Sequence, residues 1–209
     1  MDSFLFSSIV AQSLRWYPEV GVGYYPVDSK DAPYDEKYFA KYQVMEVTPV
    51  GKALIAARLA LVEKYLSSQV VVDIGIGSGG FVRAARCAGY DVNPHAVAWL
   101  REKEKWCDPY DYQRVRAICC WDSLEHVRIP SALLRRVEGY VFLSIPIFQD
   151  VEHVLRSKHF RKDEHYWYFT DLGLKTFMSY HGFDCIEQNM METTLGREDI
   201  GSYVFRRRA

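Results

Sequence analysis

The residues with the clearest chemical potential lie in Val70–Phe81, which reads VVVDIGIGSGGF. Val70, Val71 and Val72 form a β-branched run suited to a parallel strand covered on both faces. Asp73 ends the run, and Gly75, Gly77, Gly79 and Gly80 follow. Glycines at a strand-to-helix turn let a ligand approach the backbone. A helix starting near Gly79 would aim its free N–H groups at that ligand. Gly75, Gly77 and Gly80 also satisfy G-x-G-x-x-G, a dinucleotide fingerprint. Taken alone, these residues fit a bare βα turn as well. Asp91 stands 18 positions after Asp73, at the end of the next expected strand. A carboxylate there can accept hydrogen bonds from both hydroxyls of an adenosine ribose, or simply cap the following helix.

Asp73 separates the possible cofactors. A carboxylate just before the first glycine suits a zwitterionic ligand with a free amino group, as in S-adenosylmethionine (SAM). It suits a diphosphate badly, because like charges repel. Methyl transfer from SAM is an in-line displacement with a good leaving group, so alignment and a dry environment supply much of the catalysis. A base is needed only where the acceptor must lose a proton. His126 is the first candidate, because its loop follows a strand at the ligand edge, and His165 is the second. Glu125 and His126 are adjacent, and two adjacent ligands are too few for a metal site, so no metal is expected.

The elements that must position these groups follow in order. Residues 1–48 are irregular and rich in tyrosine (Tyr17, Tyr24, Tyr25, Tyr34, Tyr38, Tyr42), interleaved with Pro18, Pro26 and Pro33. They read as an extension or lid, with a short helix near Asp35–Tyr42. Residues 49–209 form the main domain. Thr48-Pro49 starts a helix whose apolar stripe is Val50, Leu54, Ala57, Leu61 and Tyr65. Strands follow at 88–92, 115–121 and 140–145, the last ending at Pro146, with helices after Gly79, Asn93-Pro94 and Pro130. Residues 148–165 read as a polar loop with a helical turn. Thr170 caps a helix that ends at Gly182. Strands at 183–191 and 202–207 close the chain with no helix between them, so they pair antiparallel. Alternating strands and helices make the fold α/β, with a mostly parallel sheet and right-handed crossovers.

Composition sets outer bounds. The 209 residues are 49% hydrophobic and 25% charged, enough for one large core. Net charge is −1, without the basic excess of a typical nucleic-acid binder. Five cysteines without a C-x-x-C pair favour a reducing compartment over a disulfide framework. The N-terminus is a poor signal peptide, and no apolar run reaches the roughly 18 residues of a membrane span, so a cytoplasmic protein is expected.

Five blocks in order carry a more specific resemblance: VVVDIGIGSGGF, GYDVNP (Gly89–Pro94), WDSLEHV (Trp121–Val127), FLSIP (Phe142–Pro146) and EHYWYFT (Glu164–Thr170) with Gly182-Phe183. Asp73, Gly75, Gly77 and Gly79 match D-x-G-x-G-x-G. Over residues 50–209 the chain resembles class I SAM-dependent methyltransferases, in the group of ubiquinone-biosynthesis type. Proteins of this pattern also occur in bacteria and their phages. The resemblance implies a Rossmann-like seven-stranded sheet of order 3-2-1-4-5-7-6, with helices on both faces. It implies that Asp73, Gly75, Gly77 and Gly79 hold the methionine part, that Asp91 binds the ribose, that Val92 and Asn93 flank the adenine, and that Asp122 lies beneath the sulfonium. The third strand departs from the pattern, leaving Asp108 as the adenine contact, with Trp106 as its competitor. The cluster Tyr166-Trp167-Tyr168-Phe169 lies where the family places substrate recognition. It would build a pocket for a planar or apolar acceptor, a cation cage, or plain packing. A small-molecule acceptor is the first expectation. Methylation of DNA or RNA is the second, weakened by the absence of a D/N-P-P-Y motif or a Pro-Cys nucleophile after the fourth strand. The third is SAM binding without transfer.

Overall fold

The computed structural model describes residues 13–27, 35–111 and 114–209. Pro33 and Tyr34 of the tyrosine-rich segment lie outside them. Strands β1 (Arg15–Tyr17) and β2 (Val22–Tyr24) come first, then helices α1 (Glu36–Glu46) and α2 (Pro49–Glu63). Next are β3 (Val71–Ile74), α3 (Gly80–Ala85), β4 (Ala88–Tyr90), α4 (Pro94–Glu102) and β5 (Val115–Trp121). The second half runs α5 (Pro130–Leu134), β6 (Val137–Phe148), α6 (Val151–Arg156), β7 (Trp167–Thr170), α7 (Asp171–Tyr180), β8 (Phe183–Asn189), α8 (Met191–Thr194) and β9 (Ile200–Arg207).

Helix starts follow their caps. The Thr48 hydroxyl accepts from Gly51 N–H at 3.0 Å, with Pro49 in the first turn. Asn93 Oδ1 accepts from His95 N–H, and Thr170 Oγ1 from Gly173 N–H. Each such bond satisfies an N–H that the helix itself cannot, a contribution of about 1 kcal/mol.

The core is parallel, in the order β4-β3-β5-β6. β9 pairs antiparallel with β6, and β8 antiparallel with β9. The expected third strand shrinks to one parallel bridge between Gly89 and Trp106. Counting that bridge, the order is the expected 3-2-1-4-5-7-6. Ile118, Val141, Phe142 and Leu143 on the middle strands are fully buried. Each such side chain contributes about 1.5–3 kcal/mol of burial. Sheet faces packed on both sides explain why these strands read as continuous apolar runs.

Three expectations need correction. Within EHYWYFT, where no strand is expected, Trp167–Thr170 is a strand, parallel to the end of β6 and antiparallel to β2. The N-terminal β1–β2 hairpin thereby joins the sheet. β6 does not stop at Pro146 but runs to Phe148. The last β5 partner on β6 is Ser144, so Pro146 lies beyond the rung where β5 would need its missing N–H. Finally, one helical turn, α8, stands between the two closing strands.

The turn after β3 carries Gly75 (φ +75°) and Gly79 (φ +79°). A Cβ on Gly79 would lie 2.7 Å from the Trp99 ring, whereas one on Gly196 (φ +93°) would meet nothing within 4 Å. Left-handed backbone costs a non-glycine residue about 1–2 kcal/mol. Gly196→Ala should therefore cost about that much in urea unfolding. Gly79→Ala should cost clearly more, because Trp99 must also move; equal costs would show that the turn has room to spare.

Candidate active site

The C-terminal ends of the parallel strands open into one cavity of about 1030 Å³. Its lining joins the glycine turn, the residues after β4 and β5, helices α1 and α2, and the segment before β7. This is where an open α/β sheet places its ligands.

At one end lie Asp73, Gly75, Gly77, Asp91, Val92 and Asn93. Asp73 is buried, and its Oδ1 has no hydrogen-bond partner. Burial pushes its carboxyl up to about 8, partly offset by Arg58. Asp91 is raised by burial too, while backbone N–H groups, including that of Asn93 at 2.8 Å, pull it back. The Asn93 side chain caps α4 and donates to the Asp35 carbonyl. Gly79 does not line the cavity; its missing side chain makes room for Trp99. Gly80 lines it instead.

Helix α1, within the segment read from sequence as an extension or lid, lies beside this end. Tyr42 of α1 lies against Gly77, where an added Cβ would come 3.3 Å from its ring. Glu46 reaches Ser78 and Arg83 across the turn. The expected adenine contacts also lie elsewhere. Asp108 is exposed, accepts from Tyr110 N–H, and stays outside the cavity. Trp106 packs on Tyr90, with ring centroids 5.1 Å apart, and stays outside as well. Tyr110 lines the cavity in their place, because the shortened third strand ends before Asp108 and its loop turns back.

Under the middle of the cavity, Asp122 adopts a left-handed φ of +53°. Its Oδ2 accepts from Arg58 at 3.0 Å and from Arg197 at 2.5 Å, and its buried Oδ1 has no partner. Burial pushes this carboxyl up, but Arg197 and Arg58 outweigh it and hold the group below its usual value. Fully buried Glu192 of α8 accepts from both arginines, and Arg58 stacks on Trp121. Arg58 was legible as a charge on the apolar stripe of α2, four residues after Leu54 and three before Leu61. Glu192 and Arg197 carried no such signal.

At the other end stand Glu125, His126 and His165. A 3₁₀ turn, Leu124–His126, follows β5, and Tyr166 N–H donates to the Glu125 carbonyl at 2.9 Å, docking the segment before β7. The two imidazoles meet edge to face at 4.5 Å. Burial pushes His126 down to about 4; burial and then His126 lower His165. Glu125 is 1% exposed, neither oxygen has a partner, and burial together with Asp122 raises its carboxyl well above the usual range. Ligand atoms of all three residues lie within 4.8 Å of one another. The expectation of no metal site counted only the adjacent pair; the fold adds His165 as a third donor. Of the aromatic run, Tyr166 reaches the cavity, while Tyr168 and Phe169 are fully buried packing.

A family model described as "Methyltransferase domain" matches residues 47–188. The chain belongs to the methyltransferase domain family. It is a class I methyltransferase, and its cofactor is SAM. Solved structures share the fold at low identity. Magnesium protoporphyrin IX methyltransferase from Synechocystis PCC 6803 with bound SAM has a TM-score of 0.60 and 14% identity, over 88% of this chain and 99% of that one. The 1,6-didemethyltoxoflavin-N1-methyltransferase of Burkholderia thailandensis, with its substrate and S-adenosylhomocysteine (SAH), has a TM-score of 0.57 and 14% identity, over 94% and 100%. The [4+2]-cyclase SpnF has a TM-score of 0.55 and 14% identity, over 75% and 82%. No curated protein matches the chain in sequence. The cofactor fits the cavity. An ammonium would satisfy the orphaned Oδ1 of Asp73, which lines the cavity beside the backbone of Gly75 and Gly77. No helix among the described residues is long and apolar enough to cross a membrane.

Removing one partner from a buried charge network leaves the others uncompensated, at about 3–5 kcal/mol. Glu192→Ala should lower urea-unfolding stability by that order, whereas Glu198→Ala, on the exposed Lys158 pair, should cost under about 1 kcal/mol. A Glu192→Ala loss no larger than that of Glu198→Ala would remove the network from the account.

Proposed function

We propose that this methyltransferase acts on a small-molecule acceptor held between Glu125, His126 and His165, and that Asp73, Gly75, Gly77 and Asp91 hold SAM. The observation that carries the reading is the single continuous cavity. It is at the upper end of the size range of small-molecule sites, so it has room for a cofactor and a second molecule. Bound SAM supplies an electrophilic methyl on a sulfonium. The Asp73 carboxyl takes the amino group and Asp91 takes the ribose hydroxyls, with the Val92 and Asn93 backbone and Tyr110 beside the base. Asp122, fixed on one oxygen by two arginines, keeps Oδ1 toward the cavity centre. His126 is held neutral by burial, so its ring nitrogen can receive a proton from an acceptor O–H or N–H. His165 supports the imidazole edge to face and stands second in that role. Helix α1 and the segment before β7 close over the site and exclude water. The absence of a basic excess in the chain favours a free small molecule over a base in a nucleic-acid strand.

Two outcomes test this. In the free protein the Asp73 carboxyl, near 8, is mostly protonated at about pH 7, and an ammonium favours its ionised form. SAH binding at that pH should therefore release up to one proton, and the release should fade by roughly pH 9. Calorimetry in buffers of different ionisation enthalpy measures it, and Asp73→Asn should abolish it. Asp91→Ala should weaken SAH at least about tenfold, the loss of a charge-assisted hydrogen bond; unchanged affinity would remove the ribose assignment. To identify the acceptor class, labelled methyl transfer from SAM would be followed into a cell extract split into metabolites and nucleic acid. Label in the metabolite fraction is expected; label confined to nucleic acid would overturn the small-molecule reading.

A further inference from the structure

Among the described residues, buried side-chain oxygens and nitrogens without a partner are few, and most line the one cavity. They are Asp73 Oδ1, Trp121 Nε1, Asp122 Oδ1, and both oxygens of Glu125. Four of these five atoms are carboxylate oxygens, which ask for donors. A buried acceptor without a donor costs about 1–3 kcal/mol, and more when charged, so such groups mark what the site is built to receive.

The cofactor's ammonium accounts for Asp73. It leaves Glu125, at the opposite end of the cavity, fully buried with two empty acceptor atoms on one planar group. The cations near Glu125 are committed elsewhere. Arg197 is bound to Asp122 and Glu192, and Arg161 pairs with Glu164 at 3.2 Å. The Glu125 backbone carbonyl accepts from the Tyr166 N–H, which holds the turn after β5 against the segment before β7. The rings of His126, His165 and Tyr166 stand around the same end. Their faces and edges suit a flat partner.

Resting on the proposed methyl-transfer reading, we infer that Glu125 is the acceptor-recognition residue, and that the acceptor presents a planar, cationic pair of N–H donors to it, as an amidine, guanidine or amino-substituted nitrogen heterocycle does. Two parallel N–H groups on one planar carbon match two carboxylate oxygens as a fork, the geometry that makes such pairs both strong and selective. A carboxylate-bearing acceptor would meet the ionised Asp122 with like charge and could pair with Glu125 only in its protonated form, through a single O–H. A lone hydroxyl would satisfy only one of the two Glu125 oxygens.

The test uses the full chain saturated with SAH, with benzamidinium as the probe and benzoate and benzamide as controls, all by calorimetry. Benzamidinium should bind one to one and more tightly than benzamide, and benzoate should not bind. Glu125→Gln, which keeps the shape, should weaken benzamidinium at least about tenfold and leave SAH affinity unchanged. Asp163→Asn, a charge on the same cavity wall, should change benzamidinium affinity less than about threefold, separating a fork from a diffuse field. Benzoate binding as well as benzamidinium, or Glu125→Gln binding the probe unchanged, would overturn the inference. So would a Co²⁺ titration showing one site that is lost in both Glu125→Gln and His165→Ala, since a cation would then own the Glu125 oxygens. Loss of SAH binding in the wild-type chain would instead count against the methyl-transfer reading itself.

Discussion

Buried acceptor atoms without donors are the constraint on which the site depends. Asp73 is buried near the end of β3, where it lines the cavity beside Gly75 and Gly77. The same logic holds at Asp122 and Glu125, each placed by the end of β5. In water these carboxylates would be solvated at no cost; within the cavity they favour ligands that bring hydrogen-bond donors or positive charge. A sulfonium-bearing amino acid at one end and a donor-rich acceptor at the other are the chemical complement of this wall.

Holding such groups in place requires rigidity from far along the chain. Arg58, on α2, and Arg197, near the C-terminus, each bind both Asp122 and Glu192, so three stretches far apart in sequence, α2, the end of β5 and the α8 segment, meet in one network. The network fixes one Asp122 oxygen and a left-handed backbone, so the other oxygen keeps its direction without a partner of its own. It also ties α2, which lines the cavity, to the closing strands β8 and β9. Catalytic geometry and the packing of the C-terminal segment are therefore one mechanical unit, which agrees with the short α8 that breaks the otherwise direct β8–β9 connection.

Much of this was legible in the sequence where local chemistry decides structure. VVVDIGIGSGGF announced strand, turn and helix because β-branched residues and glycines each have one strong local preference. Thr48-Pro49, Asn93-Pro94 and Thr170 announced helix starts because a cap is a local hydrogen bond. The residues proposed for the methionine and ribose come from the family resemblance that this turn and GYDVNP carry. WYFT carries no decisive strand signal, because a short aromatic run fits several local structures and only pairing with β2 and β6 decides it. Asp108 was misread because the loop after the third strand has no periodicity to fix which residue faces inward; Tyr110 does. Glu192 was invisible because its partners lie 134 and five positions away, and a charge buried by tertiary contact looks like any surface charge.

A crystal structure of the full chain with SAH tests the central claim most directly. The account predicts the amino group within hydrogen-bond distance of Asp73 Oδ1, both ribose hydroxyls on Asp91, and the sulfur facing the open space between Asp122 and His126. An adenosine bound with Asp73 Oδ1 still lacking a partner, or lying at the Glu125 end, would contradict it.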